Sequence, residues 1–273
     1  MKCDGHIDLM AILNVTDDSF YAPSRVSSKS EIEHRVERFI SEGATIIDVG
    51  GCSSRPGSQP SDEATEWQRV LDAITAVRRV SKDVVISIDT FRSGIVRRAE
   101  LLLGRFIVND ISSMEADEGM LQTVLSLRLP IVLMHMRGNP STMQTRCQYG
   151  NVCTEVRDYL LSRAELLVRN GHDRNDIIID PGFGFAKTLR QNYQLLSHLR
   201  AFSETGYRVL AGLSRKSMIT SLLDIEPEQA LAPTQVLLFK ALTEGASILR
   251  VHDVKEAAMT VKIFRELSNY HPV

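Results

Sequence analysis

Eight short apolar runs rich in Ile and Val recur along the chain, separated by longer amphipathic stretches. The runs cover 9–16, 45–51, 84–90, 106–111, 131–136, 177–182, 209–214 and 247–252. Between them lie helical patterns at 30–42 (Ile32, Val36, Phe39 and Ile40 on one stripe), 62–80, 151–169 and 228–244, with a last one at 254–267. Strand-like runs alternating with helical ones imply parallel strands joined by crossover helices. Eight such units is the number a closed barrel needs, so the expected fold class is α/β: a (β/α)8 TIM barrel forming a single domain over 1–273. An open doubly wound sheet also uses many βα units, but no GxGxxG follows the first run. A chain of 273 residues fits one barrel, and 43% hydrophobic residues are enough for a sizeable core.

Thirty-two basic residues nearly balance thirty-four acidic ones, so no global field exists to hold nucleic acid or a membrane surface. Any anion site must be local. Cys3, Cys52, Cys147 and Cys153 form no CxxC pair, which argues against a disulfide framework or zinc site and fits a cytoplasmic protein. The run from Leu9 to Leu13 is too short for an export signal or a spanning helix.

The strand-like runs share a second property. Nearly all end in polar or ionisable residues: Asn14, Asp48, Asp89, Asn109 with Asp110, His135, Asp180, Ser214-Arg215-Lys216 and Arg250-Val251-His252. In a parallel barrel these ends gather at one rim, where enzymes of this fold place their chemistry. Asp89, Asn109 and Asp180 suit the amino and amide edges of a guanine-like or pterin heterocycle, while Lys216, Arg250 and His252 suit an anion beside it. The loop from Gly50 to Ser58 adds Arg55 within a Gly- and Ser-rich segment that can cradle diphosphate oxygens. Each residue also has an ordinary reading: Asp48 as a structural acceptor, Lys216 or Arg250 as a surface charge, Asp180-Pro181-Gly182 as a turn, His135 and His252 as interior histidines. Their coincidence at the strand ends is what points to a site.

Several stretches resemble the dihydropteroate synthases. They are Met10 to Phe20, Asp48 to Ser58, Ser87 to Thr90, Val108 to Asp110, Met134 to Gln144, Asp180 to Thr188, Gly212 to Ile219 and Arg250 to Val254. The resemblance implies condensation of dihydropterin-methyl diphosphate with p-aminobenzoate. Asp89, Asn109, Asp180 and Lys216 would hold the pterin with Arg250 packed over it, and Asn14, Ser54, Arg55 and His252 would surround the diphosphate. Asn14 also matches the family's Mg²⁺ contact, and Phe20, Pro56, Phe185, Lys216 and Ser217 match its p-aminobenzoate positions. The expected catalytic group is then Asp89, Asp180, Lys216, Arg55 and His252, working as a homodimer on small molecules alone.

Departures from the family's pattern concentrate on two loops expected to close over the site, 15–27 and 51–61: Asp17, Tyr21 to Ser24, Cys52 in place of an acid, and Ser54 in place of Thr. The stretch Ala232-Pro233-Thr234 also departs from it. Two rival readings are a pterin-dependent methyltransferase barrel and a catalytically silent pterin-binding paralogue. The SRKS run at Ser214 and the SRPG run at Ser54 favour the synthase.

Overall fold

The computed structural model describes residues 6–15, 29–53, 57 and 60–270. Eight parallel strands close into a barrel in chain order, β1 (Asp8–Asn14), β2 (Ile46–Gly50), β3 (Val85–Asp89), β4 (Ile107–Asp110), β5 (Ile131–Met134), β6 (Ile177–Asp180), β7 (Arg208–Ala211) and β8 (Ile248–Val251), the last pairing with β1. The helices are α1 (Lys29–Ser41), α2 (Glu63–Val80), α3 (Ser93–Leu103), α4 (Gly119–Leu127), α5 (Val152–Arg169), α6 (Leu189–Ser197), α7 (Arg200–Ser203), α8 (Ser217–Leu223), α9 (Leu231–Thr243) and α10 (Val254–Asn269). The barrel expected from the sequence is thus the one observed.

Successive strand residues face opposite sides, so each strand sends alternate side chains to the lumen and to the helices. Ala11, Leu13, Ile47, Val49, Ile86, Ile88, Val108, Leu133, Ile179, Val209 and Leu249 pack outward with helix residues such as Val36, Phe39, Val70 and Ala257. Met10, Ile46, Ile107, Val132, Ile178, Leu210 and Ile248 form a separate apolar cluster that fills the lumen. Near the strands' N-terminal ends Asp8 accepts from Thr45 Oγ1 at 2.7 Å and from Arg208 Nη2 at 2.7 Å. The apolar plug therefore leaves the C-terminal ends as the place for a pocket.

Local signals set the helix starts. Asp62 accepts from Thr65 N at 2.9 Å and Asn151 accepts from Thr154 N at 3.1 Å, the N-cap role in which short polar acceptors satisfy a free backbone N–H. Thr188 and Gln191 form a reciprocal capping box at α6. The helical pattern at 228–244 resolves into a 3-10 turn, Pro227–Ala230, followed by α9, whose Pro233 falls in the first turn where its missing N–H costs nothing.

Candidate active site

Two residues beyond four of the seven members of the apolar plug, the same inward register meets polar side chains. Ile46 is followed by Asp48, Ile107 by Asn109, Ile178 by Asp180 and Ile248 by Arg250, and Ser87 leads to Asp89 on β3. These groups lock together. Asp48, fully buried, accepts from Ser87 Oγ at 2.6 Å, from Arg250 Nε at 2.7 Å and from Asn109 Nδ2 at 3.1 Å. Arg250 Nη2 reaches Asp89 Oδ2 at 2.8 Å. Asp180, 7% exposed, accepts the Gly182 N–H at 2.7 Å, so the Asp-Pro-Gly segment is both a turn and a carboxylate presented to the mouth.

Lys216 enters from the turn after β7. Its Nζ donates to the Phe183 carbonyl and lies 4.6 Å from the centroid of the Phe185 ring. Ser217, exposed, begins α8 beside it. His252 Nδ1 lies 3.0 Å from Ser214 Oγ. On β1, the strand paired with β8, Asn14 is the last residue, and a Cβ at Gly50 would sit 2.9 Å from Asn14 Oδ1, so the missing side chain at 50 makes room for that amide.

Burial pushes the Asp89 carboxyl up to about 7 against the attraction of Arg250, with the Asp48 charge adding to the rise. Burial also raises Asp180, opposed by Lys216, and lowers Lys216 to about 8, opposed by Asp180. Burial works against the charge of Arg250 too, but Asp48 and Asp89 outweigh it and hold the guanidinium protonated. His252 falls to about 3, through burial and then the neighbouring Arg250, so it stands in the free site as a neutral imidazole. The pocket holds ionisable groups close to neutrality and pairs each acid with a base, a pattern suited to binding a ring with mixed donor and acceptor edges and to tolerating a transient positive charge.

Asp89, Asn109, Asp180, Lys216 and Arg250 thus converge as the sequence led us to expect, with Phe185 against Lys216. Phe20, Ser54, Arg55 and Pro56 lie outside the described residues, as do 16–27 of the first loop and 54–56, 58 and 59 of the second. Two rim residues turn away. The Asp110 carboxylate caps the following turn, accepting from Ser112 N at 2.8 Å and Met114 N at 2.6 Å. His135 is buried beside Tyr159, 5.1 Å between ring centroids, and burial drives it to about 2, so the interior-histidine reading holds for it. Sequence reasoning left Asp48 open, yet it binds three side chains, Ser87, Asn109 and Arg250; its inward register after Ile46 was the available signal. It also assigned no role to Ser87, Ser214 or Lys187. Nor did it find the buried Glu66, which accepts from Thr90 Oγ1 at 2.6 Å and pairs with Arg92, whose guanidinium also donates to Ser61 O at the end of the second loop.

A parallel barrel whose mouth carries this interlocked Asp–Arg–Asn–Lys set defines a pterin-binding class of enzyme, and a family model described as "Pterin binding enzyme" matches residues 10–252. The chain belongs to that family. It is 39% identical over 261 residues to the dihydropteroate synthase of Haemophilus influenzae, covering 96% of this chain and 94% of that protein. Among solved structures it resembles a sulfonamide complex of Yersinia pestis dihydropteroate synthase (TM-score 0.92, 35% identity, 97% of this chain and 95% of that one). It also resembles the Xanthomonas albilineans dihydropteroate synthase in complex with 7,8-dihydropteroate (TM-score 0.83, 33% identity, 98% and 95%).

Proposed function

We infer that the chain catalyses the dihydropteroate synthase reaction of folate biosynthesis, joining (7,8-dihydropterin-6-yl)methyl diphosphate to p-aminobenzoate with release of diphosphate. The observation that carries this is the Arg250 guanidinium bridging Asp48 and Asp89 in the same mouth as Asn109, Asp180 and Lys216. In this reading Asp89, Asn109 and Asp180 meet the amino and amide edge of the pterin, and Arg250 packs over its face. The bond between the pterin methylene and the diphosphate oxygen breaks with its electron pair leaving on diphosphate. Asp89 and Asp180, whose carboxyls burial raises in the free site, favour in their ionised forms the ring-delocalised cation that remains, and that cation in turn favours their ionisation. The aromatic amine of p-aminobenzoate, held against Phe185, Lys216 and Ser217, then forms the new N–C bond and gives its proton to solvent. No nucleophilic side chain is required.

His252, neutral in the free site, serves the diphosphate as a hydrogen-bond donor and takes up a proton when that anion arrives beside it. Among the described residues no group of three His, Cys, Asp or Glu side chains could hold a metal ion. A Mg²⁺ contact limited to Asn14, in the space left by Gly50, fits an ion bound chiefly by diphosphate oxygens and water. Such an ion would offset the charge growing on the leaving group. Val236 on α9 and Met259, Ile263 and Leu267 on α10 are all more than half exposed, and this apolar surface supports a homodimer. No helix of the described residues is long and apolar enough to cross a membrane, and Cys52, Cys147 and Cys153 are free thiols, which supports work in a reducing cytoplasm.

Expression in bacteria deleted for their own dihydropteroate synthase tests this reading. Restored growth on medium lacking folate end products, with no rescue by Asp180→Ala, is the expected result; failure of the well-expressed wild-type chain to rescue would overturn it.

A further inference from the structure

Lys187 has no place in the chemistry above, yet it is the most enclosed lysine of the rim, 4% exposed. Its Nζ lies 2.9 Å from the carbonyl oxygens of Gly182 and Phe185, 3.3 Å from that of His135 and 3.1 Å from His135 Nδ1. A buried ammonium needs its donors satisfied, and here backbone acceptors from two loops do so. The charges facing it are Asp180 at the end of β6, Lys216 after β7, and Arg137 and Cys147 from the segment after β5. Beside it stands the neutral ring of His135.

The chain wraps around this ammonium. Gly182 has φ +70°, and a Cβ there would sit 2.2 Å from His135 O, so the turn is pressed onto the end of β5 in a way only glycine permits. From the outer side, Gly184 N donates to Asn192 Oδ1 at 2.7 Å and Tyr149 OH donates to Ala186 O at 2.9 Å. The segment held in this way presents two groups to Lys216: the Phe183 carbonyl, which takes its hydrogen bond, and the Phe185 ring, 4.6 Å from its Nζ.

We propose that Lys187 is a positioning residue for the p-aminobenzoate subsite: its ammonium gathers the 182–187 loop from within, and so fixes where Phe183 O and Phe185 hold Lys216. This rests on reading Phe185 and Lys216 as the aminobenzoate contacts. Of the pterin contacts, Asp89, Asn109 and Arg250 lie on other strands, so pterin affinity should fall less than that for p-aminobenzoate even though Asp180 and Lys216 touch this loop. Burial lowers Lys187 to about 7 against the attraction of Asp180, so its ammonium gives up its proton far more readily than an exposed lysine does.

The test measures steady-state kinetics and pterin-substrate affinity for Lys187→Met, which keeps the stem without donors, and Lys187→Gln, which keeps an N–H₂ donor without charge. KM for p-aminobenzoate should rise about tenfold or more in Lys187→Met and less in Lys187→Gln, with kcat at saturation and calorimetric Kd for the pterin diphosphate changed less than about threefold. Unchanged KM in a folded variant, an equal loss of pterin affinity, or failure of both variants to fold would overturn the positioning role. If the wild-type chain itself makes no product, the underlying reading fails instead.

Discussion

Arg250 Nε lies 2.7 Å from Asp48 Oδ2, so β8 and β2 are joined by an ion pair that reaches across β1 inside the lumen. Asp48 is fully buried and also satisfies Ser87 and Asn109. Removing one partner of a buried pair leaves an uncompensated charge, which typically costs about 3–5 kcal/mol. Asp48→Ala should therefore destabilise the barrel by that order in denaturant unfolding while also weakening pterin binding. A loss below about 1 kcal/mol would mean that the network is slack.

Two rim groups sit close to neutrality from opposite directions. Asp89, raised to about 7 chiefly by burial, must be ionised to favour the cation, and Lys216, lowered to about 8 chiefly by burial, must be protonated to hold its ligands. In the free enzyme, kcat/KM should rise as pH passes about 7 and fall as it passes about 8, a narrow bell. Asp48→Asn removes a like charge beside Asp89 and frees Arg250 for it, so the acidic limb should move down by about half a unit or more. An unmoved acidic limb would separate that limb from Asp89.

Lys216 touches both halves of the site, its Nζ within reach of the Phe183 carbonyl and the Phe185 ring and its charge set against Asp180. Lys216→Ala should lower kcat by about a hundredfold or more and weaken both substrates. Near-normal kinetics would contradict its placement.

Asp89 also links function to stability. Its carboxyl is harder to ionise when folded than in the open chain, so the native state gains relative to the unfolded one below the ordinary carboxylate range and loses that gain as pH rises through about 7. Asp89→Asn should be at least as heat-stable as wild type at pH 8, with the difference shifting in favour of wild type toward pH 5, and should bind pterin poorly. A wild-type advantage that grows with pH would reverse this sign.

The apolar surface of α9 and α10 gives a separate test. Ile263 is 58% exposed and Val236 68% exposed, and a charge there should block self-association without reaching the barrel mouth. Ile263→Arg should shift sedimentation from dimer to monomer with the fold retained. A wild-type chain that sediments as a monomer would dispose of the dimer.

Much of this was legible in the sequence because a barrel converts a local period into geometry. The alternation that puts Ile178 in the plug puts Asp180 in the mouth, and the same step from Ile248 leads to Arg250. What local pattern does not encode is which polar groups bond one another across the lumen. Asp48 and Ser87 are distant in sequence and meet only when β2 and β3 pair in register. Lys187 follows Asp180 on the way to an exposed cap, and nothing nearby marks its ammonium as folded inward rather than solvated. Asp110 and His135 erred the other way: both end strands as polar residues, but the turn after β4 takes the first and the Tyr159 ring and Lys187 take the second.

The most direct measurement incubates the purified chain with dihydropterin-methyl diphosphate and p-aminobenzoate, with and without Mg²⁺, and follows 7,8-dihydropteroate by mass spectrometry. The account predicts metal-dependent product, abolished by Asp180→Ala. No product from a folded chain that still binds the pterin diphosphate by calorimetry would contradict it, leaving a pterin-binding barrel without the transfer chemistry.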